Sequence, residues 1–348
     1  MEVRRCDRQC GRERDPQVER VSIVVAYNDD AALKTHLNAI ERIGEEEVAE
    51  TAREIASILG ATLLPVRNVR SAIDHLRKEK PDVVFNLCEG VQGNPRWEMH
   101  FSLALEMLGI PFTGCDPVAA GICGDKWMTK QLLAASGIAT PRGFRVTSEG
   151  DVPPLEGTWI VKPSLEDAGI GIDAASVCTS RAAVIVRALH VVNSYKQPAL
   201  VEEFIDGHEL NQALFHGPDG IVVLPPGEIV FDEALAANER VVGWKAKWSA
   251  DSAEDRAMRN RTPAQIDAKT THDLAELCSR AANVLSLGGY CRFDVRRRPG
   301  GELSILDVNP NPDIGRDTGF RKALAAAHVE FADFLNQLMI AGRATAAA

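Results

Sequence analysis

The chain has 348 residues, 45% of them hydrophobic and 25% charged, which is enough for two or three compact domains. Its formal net charge of -10 argues against nucleic acid or an anionic membrane as a general partner, because such partners favour a basic surface. We expect a cytoplasmic protein, since the chain shows neither an apolar signal core nor the roughly 20 uninterrupted apolar residues that span a bilayer. Residues 1–20 are expected to form a flexible tail, because they offer little apolar surface to bury.

Residues 21–116 alternate between short apolar runs and amphipathic segments. The β-branched run VSIVVAY at 21–27 is typical of a buried strand, and apolar residues recur at helical spacing between Val48 and Leu59. The runs ATLLPV and PDVVFNL predict further strands on either side of the helical segment SAIDHLRKEK. This alternation favours a parallel sheet covered by helices, so we predict an N-terminal parallel α/β domain.

The pattern changes after residue 116. A helix that carries Lys126 precedes the strand TWIVKPS, in which Lys162 follows the apolar residues, and the glycine-punctuated loop LEDAGIGI comes next. The stretch ALVEEFIDGHELNQALF then predicts two short strands joined by a turn. Such strands favour an antiparallel α+β architecture, and we divide this part into a central subdomain at 117–200 and a C-terminal domain at 201–348.

Two segments near the C-terminus, YCRFDVRR and ELSILDV, flank a Pro-Gly-Gly turn signal and predict an antiparallel hairpin. With the turn centred between the two glycines, Asp294 lies opposite Asp307 and Arg292 lies opposite Asn309, all on one face. Facing carboxylates repel each other unless a cation or a proton intervenes, and Mg²⁺ prefers oxygen ligands. The hairpin therefore predicts a magnesium site. Solvent-facing acids are the alternative, and a β-bulge would shift the register.

Lysine and glycine residues elsewhere fit a nucleoside triphosphate. Lys162 and Lys247, the latter in WKAK, would screen the phosphates, while Gly169 and Gly171 would let a loop close over them. The loop lacks the Gly-Lys-Ser/Thr ending of a Walker-type phosphate loop and is a weak signal by itself. The stretch from Glu202 to Phe204 would offer backbone groups to adenine. Taken alone, it is an ordinary strand with exposed acids.

Taken in chain order, the motifs DK, IVKPS, VEEF with IDGHE, WKAK, RFDV and LDVNPNP resemble the ATP-grasp ligases, and most closely the D-alanine–D-alanine ligase family, over about residues 21–342. The resemblance implies a three-domain ATP-grasp fold, in which two α+β domains clamp ATP beside the N-terminal α/β domain. The nucleotide-binding residues that it implies are Lys126, Lys162, Lys247, Glu202, Glu203, Phe204, Ile205 and Glu209. The ligands that it implies for two Mg²⁺ ions, or for Mn²⁺ in their place, are Asp294, Asp307 and Asn309.

The resemblance also implies a reaction, in which ATP phosphorylates a carboxylate and an amine then displaces the phosphate to form an amide. Arg292 would stabilise the tetrahedral intermediate, Lys247 would act at the phosphates, and Glu47 would hold the amino group of the first substrate. The implied substrates are an amino acid or a related carboxylate and an amine, and the implied assembly is a homodimer. The alternatives are a kinase of the same fold and a catalytically silent nucleotide-binding protein.

Several positions on the substrate side depart from the family pattern. Ala168 and Gly169 stand where the family usually has a pair of serines, and Glu89 stands where it often has a histidine. Asp313 replaces a glycine, and Asp307 replaces the usual glutamate. These departures leave the ATP and magnesium residues mostly intact and put D-alanine in question as the substrate.

Overall fold

The computed structural model describes residues 21–29, 41–90, 94, 97–243 and 256–345, of which 41–46 and 343–345 are described as backbone only. The expected tail at 1–20 and Lys247 lie outside these residues. The helices are α1 (Glu41–Leu59), α2 (Val69–Glu79), α3 (Trp97–Met107), α4 (Pro117–Cys123), α5 (Lys126–Ala135), α6 (Arg181–Tyr195), α7 (Ala268–Val284), α8 (Gly319–Ala326) and α9 (Phe331–Thr345). None of these described helices combines the length and the apolar character needed to cross a membrane.

The strands form one parallel and two antiparallel sheets. They are β1 (Ile23–Asn28), β2 (Thr62–Val66), β3 (Val83–Leu87), β4 (Gly143–Val146), β5 (Trp159–Pro163), β6 (Val177–Cys178), β7 (Ala199–Glu203), β8 (His208–Gly217), β9 (Gly220–Val223), β10 (Gly227–Phe231), β11 (Met258–Arg261), β12 (Tyr290–Arg297) and β13 (Leu303–Asn309). The parallel sheet has the order β2-β1-β3, and the antiparallel sheets have the orders β4-β7-β5-β6 and β11-β10-β8-β12-β13, with β9 also paired to β8. The change from parallel to antiparallel pairing confirms the predicted fold class.

Helices cover both faces of the parallel sheet. Val25 packs with Ile55 of α1 on one face, while Val24 and Ala26 pack with Leu76 of α2 on the other. Successive side chains of a strand point to opposite faces, so a continuous apolar run such as that of β1 is what a doubly covered sheet needs.

One buried cluster connects the N-terminal sheet to the large antiparallel sheet. It contains Phe85 of β3, Ile55 of α1, Phe215 of β8 and both Phe334 and Leu338 of α9. Residues from the expected domains 21–116 and 201–348 therefore share one core. This packing fixes the first domain relative to the sheet that carries the predicted metal ligands.

The C-terminal hairpin has the predicted pairs. Arg292 lies opposite Asn309, and Asp294 lies opposite Asp307. All four side chains are partly exposed, whereas the residues between them on each strand are buried. The four polar side chains therefore share one face, as expected for residues two apart on a strand.

The predicted turn centre, however, is wrong. Arg297 pairs with Leu303, which centres the turn on Gly300, and Gly301 has a φ of 98°, in the region that favours glycine. If this register continued without interruption, Leu306 would lie opposite Asp294. A bulge leaves Leu306 without a partner and restores the predicted pairs, so the bulge corrects the register that an odd-length turn would have shifted.

Two backbone segments approach each other closely at Gly114 and Gly289. Gly289 has a φ of +60°, and a Cβ there would lie 2.6 Å from the Cα atom of Gly114. We predict that Gly289→Ala lowers the free energy of unfolding by about 2 kcal/mol or more, because it adds a clash with main-chain atoms to backbone strain. Urea unfolding measures the loss.

Gly60→Ala is the matched control for this prediction. Gly60 has a similar φ of +64°, but an added Cβ would meet nothing within 4 Å. It therefore reports the backbone strain alone. Equal losses of stability in the two variants would show that the contact with Gly114 contributes nothing.

Candidate active site

A cavity lies between the two antiparallel sheets, lined by β5 and β7 of one sheet and by β12 and β13 of the other. Its empty volume is about 670 Å³, counted with the solvent at its mouth. The sequence-predicted residues that line it are Lys162, Glu202, Glu203, Phe204, Ile205, Glu209, Asp294 and Asp307. The fold therefore brings residues predicted for the nucleotide and residues predicted for the metal to one space.

Each of the two facing carboxylates has its own cation. Within β12, Arg292 donates from Nε to Oδ1 of Asp294 at 2.9 Å and from Nη2 to Oδ2 at 3.1 Å. Asp294 is the largest cause of a raised pKa for Arg292, so the guanidinium keeps its charge. Asp307, on the other strand, is paired with Lys126 at 2.8 Å. These cations offset the repulsion that the sequence analysis assigned to a metal ion.

Lys126 joins the glycine-rich loop to the hairpin. Its buried ammonium lies 2.7 Å from Oδ1 of Asp167 and 2.9 and 2.8 Å from the two oxygens of Asp307. Burial lowers the pKa of Lys126, but the two carboxylates outweigh burial and raise it overall. All of its N–H donors can be satisfied by these oxygens. A phosphate contact for Lys126, as predicted, would require the exchange of one carboxylate for phosphate.

Glu202 is a buried carboxylate held between two lysines. Its Oε1 atom lies 2.7 Å from Lys162, and its Oε2 atom lies 2.6 Å from Lys130. Burial raises the pKa of Glu202, but the two lysines lower it by more than burial raises it. The carboxylate therefore stays ionised. The sequence analysis did not select Lys130, although it lies one helical turn after Lys126 in DKWMTK and that spacing places both on one helix face.

Backbone pairing narrows the predicted adenine contacts. The N–H groups of Glu203 and Phe204 already donate to the carbonyl oxygens of Arg142 and Thr158, at 2.9 and 3.0 Å. The Glu202 side chain is engaged by lysines. Within the described part of the chain, the N–H of Ile205 is the backbone donor of this stretch that remains for a base. The predicted role of residues 202–205 stays a prediction in this narrower form.

The wall around Glu209 contains a residue that the sequence analysis missed. Arg296 of β12 lies directly across the strand pair from Glu209 and donates to its Oε2 atom from Nε at 3.0 Å and from Nη2 at 2.6 Å. Both side chains line the cavity. The signal was the alternation in RFDVR, which places Arg296 on the same face as Arg292 and Asp294.

The glycine-rich loop carries unusual backbone angles. Ala168, Gly169 and Gly171 have φ values of 55°, 76° and 73°, and Gly169 lines the cavity. A Cβ on Gly171 would lie 2.7 Å from Cγ of Pro163, so glycine is required there by space as well as by angle. Lys247 lies outside the described residues, and its phosphate contact stays a prediction.

Two acidic residues that depart from the family pattern, Glu89 and Asp313, lie near Arg292. Glu89 is exposed to solvent, yet the protein around it removes much of its hydration and raises its pKa to about 8. Asp313 raises the pKa of Glu89 further, and burial and then Asp313 raise the pKa of Glu47. Glu98, at the start of α3 and not selected from the sequence, has its pKa raised by burial and then by Glu89. The fold thus brings Glu47 of α1 near Asp313, which follows β13.

Two antiparallel sheets around a nucleotide-sized cavity, with a parallel α/β unit packed behind one of them, define the ATP-grasp fold. D-alanine–D-alanine ligase from Bacillus anthracis, in complex with ATP, superposes with a TM-score of 0.70 at 18% identity, covering 94% of this chain and 99% of that chain. D-alanyl-alanine synthetase A from Vibrio cholerae superposes with a TM-score of 0.70 at 15% identity, covering 93% and 99%. At these identities the likeness concerns the fold.

Sequence comparison identifies the family. The family described as D-ala D-ala ligase C-terminus matches residues 155–340. The uncharacterized protein y4sG of Sinorhizobium fredii is 30% identical over 260 residues, 74% of this chain and 73% of that protein. D-alanine–D-alanine ligase of Gluconobacter oxydans is 30% identical over 250 residues, 71% of this chain and 76% of that protein. The chain therefore belongs to the D-alanine–D-alanine ligase family, and the predicted family, fold and enzyme class, ATP-dependent ligase, are confirmed at that level.

The position of Glu89 predicts a pH-dependent stability. Its pKa rises from the usual 4.5 to about 8 in the folded chain, so the folded chain holds this proton more tightly than the unfolded chain. The resulting stabilisation is full below pH 4.5 and is lost as the pH rises through about 8. Glu89→Gln should therefore leave Tm unchanged at pH 4.5 and raise it by about 2 °C at pH 9, as measured by calorimetry.

Glu79→Gln, at the exposed end of α2, is the control for the change of residue type. It should give the same small difference from the natural protein at both pH values. A gain in Tm for Glu89→Gln that does not change with pH would contradict the assignment.

Proposed function

We propose that the chain is an ATP-dependent carboxylate–amine ligase that forms an amide through an acyl phosphate. The observation that carries this proposal is the shared cavity, in which the expected nucleotide residues lie beside the facing carboxylates Asp294 and Asp307 and their neighbour Arg292. Phosphoryl transfer depends on positioning and charge stabilisation. This cavity supplies cations, backbone groups and paired carboxylates for both.

The donor set of the hairpin fits a hard divalent cation. Asp294, Asp307 and Asn309 offer two carboxylates and an amide oxygen on one face, and Mg²⁺ in phosphotransfer sites takes one or two carboxylates, with phosphates and water as further ligands. Among the described residues, no group of three His, Cys, Asp or Glu side chains could hold an ion by itself. This fits an ion that binds together with the nucleotide. Mg²⁺ or Mn²⁺ held there would neutralise phosphate charge.

Arg292 has the chemistry expected of an oxyanion stabiliser. Its guanidinium stays charged beside Asp294, and its cross-strand partner Asn309 is the last residue of β13. When an amine adds to an acyl phosphate, negative charge develops on the carbonyl oxygen, and a preorganised cation stabilises it. We assign this role to Arg292, the role of holding the phosphates to Lys162 and Lys247, and the role of holding the first substrate's amino group to Glu47.

The acidic side of the cleft limits the amine substrate. Glu89, Glu98 and Asp313 lie on this side, and the charge of one raises the pKa of the next. The raised pKa values of Glu89 and Glu98 keep these two carboxyls largely protonated near neutral pH. A second amino group on the incoming amine would favour their ionised forms and pair with them, whereas a carboxylate would disfavour their ionised forms further. We therefore propose an amine that lacks an α-carboxylate, such as an amino-acid amide or a diamine, as the preferred acceptor. The cytoplasmic location and the homodimer stay predictions.

Phosphate release with substrate panels tests the proposed reaction. The protein is incubated with ATP, Mg²⁺, a panel of D- and L-amino acids as carboxylates, and each of three amine sets, namely amino acids, amino-acid amides and diamines. We expect phosphate release above the background rate only with a productive pair, and faster with amides or diamines than with the matching amino acids. No turnover over the whole panel, despite ATP binding, would contradict the ligase proposal.

Mass spectrometry separates the ligase from a kinase of the same fold. A ligase gives a product with a new amide bond and no phosphate, whereas a kinase gives a stable phosphorylated product. A phosphorylated product that accumulates without any amine would favour the kinase. ATP binding with neither product would favour the catalytically silent protein.

The hairpin predicts the effect of removing a metal ligand. Asp294→Asn should lower Mg²⁺-dependent turnover by about 100-fold or more, since even changes outside the ligand shell cost roughly 10- to 100-fold. The fold should persist, because Asp294 is partly exposed and faces the cleft. Circular dichroism and phosphate release measure the two effects.

Asp219→Asn, in the exposed turn between β8 and β9, is the matched control and should keep the natural rate. Asn309→Ala should behave like Asp294→Asn. If either hairpin variant retains the natural rate, the metal assignment is wrong.

A further inference from the structure

Arg296 connects three parts of the cavity wall. Besides its two hydrogen bonds to Glu209, it donates from Nη1 to the carbonyl oxygen of Ile205 at 2.7 Å and from Nη2 to that of Arg240 at 2.6 Å. Ile205 belongs to the stretch assigned to adenine, and Arg240 precedes two further cavity residues, Val241 and Val242. One guanidinium thus connects strand β8, the segment after β7 and the segment after β10.

Burial and aromatic contacts fix the position of this guanidinium. Arg296 is 3% exposed, and its Cζ atom lies 5.5 Å from the ring centre of Phe204 and 5.4 Å from that of Phe231. A planar guanidinium held between rings and bonded to a carboxylate and two carbonyls has little rotational freedom. Lysine has a single ammonium and cannot reproduce these contacts together.

The hydrogen bonds from Arg296 to Glu209 use only one of the two carboxylate oxygens. Both of them end on Oε2, and Oε1 accepts none from the described part of the chain. Glu209 is 8% exposed and lines the cavity. A carboxylate held by one oxygen keeps a fixed orientation and retains the acceptor capacity of the other, which suits a hydroxyl donor.

We propose that Arg296 is the positioning residue that gives this cavity its selectivity for ribonucleosides. It holds Glu209 by Oε2 so that Oε1 accepts a hydrogen bond from the ribose hydroxyls, and it fixes the Ile205 carbonyl beside the base. Arg296 acts through these groups and does not contact the phosphates. This inference rests on the proposed function, because it takes the cavity to be the ATP site.

Nucleotide binding without turnover tests the inference. Calorimetric titrations with ATP and with 2′,3′-dideoxy-ATP, both in the presence of Mg²⁺, give the ratio of the two Kd values. The natural protein should bind the dideoxy nucleotide about tenfold or more weakly, as expected for the loss of a hydrogen bond to a charged acceptor. In Arg296→Lys, ATP should bind more weakly and the ratio should fall to about 3 or less.

Steady-state kinetics provide a readout that a merely structural role would not reproduce. Arg296→Lys should raise KM for ATP while kcat changes by less than about twofold, because an effect confined to nucleoside binding leaves the chemical step unchanged. If kcat instead falls by as much as KM rises, and the natural Kd ratio is retained, the inference is overturned.

Arg261→Lys is the matched control. Arg261 is a strand arginine of the same sheet and pairs with a buried glutamate, Glu228, at 3.3 Å, but it does not line the cavity. This variant should keep the natural Kd ratio. If it lowers the ratio as much as Arg296→Lys does, the effect is general to the sheet and the inference is overturned.

A second variant keeps the inference testable if Arg296→Lys does not fold. Arg296→Gln combined with Glu209→Gln replaces the buried ion pair with two amides and leaves no unpaired charge. It should fold and should also lose the discrimination between the nucleotides; if it retains the natural ratio, the inference is wrong. If the natural protein binds no ATP, the proposed function and this inference fail together. If ATP binds normally and only the variant ratios fail to change, the inference fails alone.

Discussion

Two carboxylates facing each other across one hairpin set the electrostatic constraint on this site. Asp294 and Asp307 lie opposite each other, and their repulsion would weaken the strand pair unless positive charge balances it. Arg292 supplies that charge from the same strand, and Lys126 supplies it from a helix 181 residues earlier in the chain. The loop that contains Asp167 is held by the same lysine. Charge balance at the hairpin thus positions the parts that surround the cavity.

A network of buried ion pairs continues this principle along the cavity wall. Glu202 lies between two lysines, and Glu209 is held by Arg296. Removing one partner from a buried ion pair typically lowers the free energy of unfolding by about 3–5 kcal/mol, because it leaves an uncompensated charge. Each pair therefore restricts its side chains to few conformations. The side chains of the cavity wall are therefore fixed in place, as the proposed nucleotide site requires.

Both apolar packing and an ion pair hold the first domain against the C-terminal domain that carries the hairpin. The shared core of Phe85, Phe215 and Phe334 fixes the two sheets, and Glu54 of α1 pairs with Arg321 at 2.8 Å. Arg321 lies at the start of α8, shortly after Asp313. This contact brings α1, with Glu47, toward the segment that follows the hairpin. The proposed substrate side of the cleft therefore combines residues from the N-terminal and the C-terminal domains.

Local patterns in the sequence determined the fold class, the presence of the hairpin and the family, because strand alternation, turn residues and motif order are properties of short segments. The tertiary structure alone decided the bulge at Leu306, the lysine partners of Glu202 and the pairing of Arg296 with Glu209. The partners Glu209 and Arg296 are 87 residues apart, and no short pattern connects them. Which cation meets which carboxylate depends on how separate strands and helices pack, and the sequence specifies that packing only through the whole core.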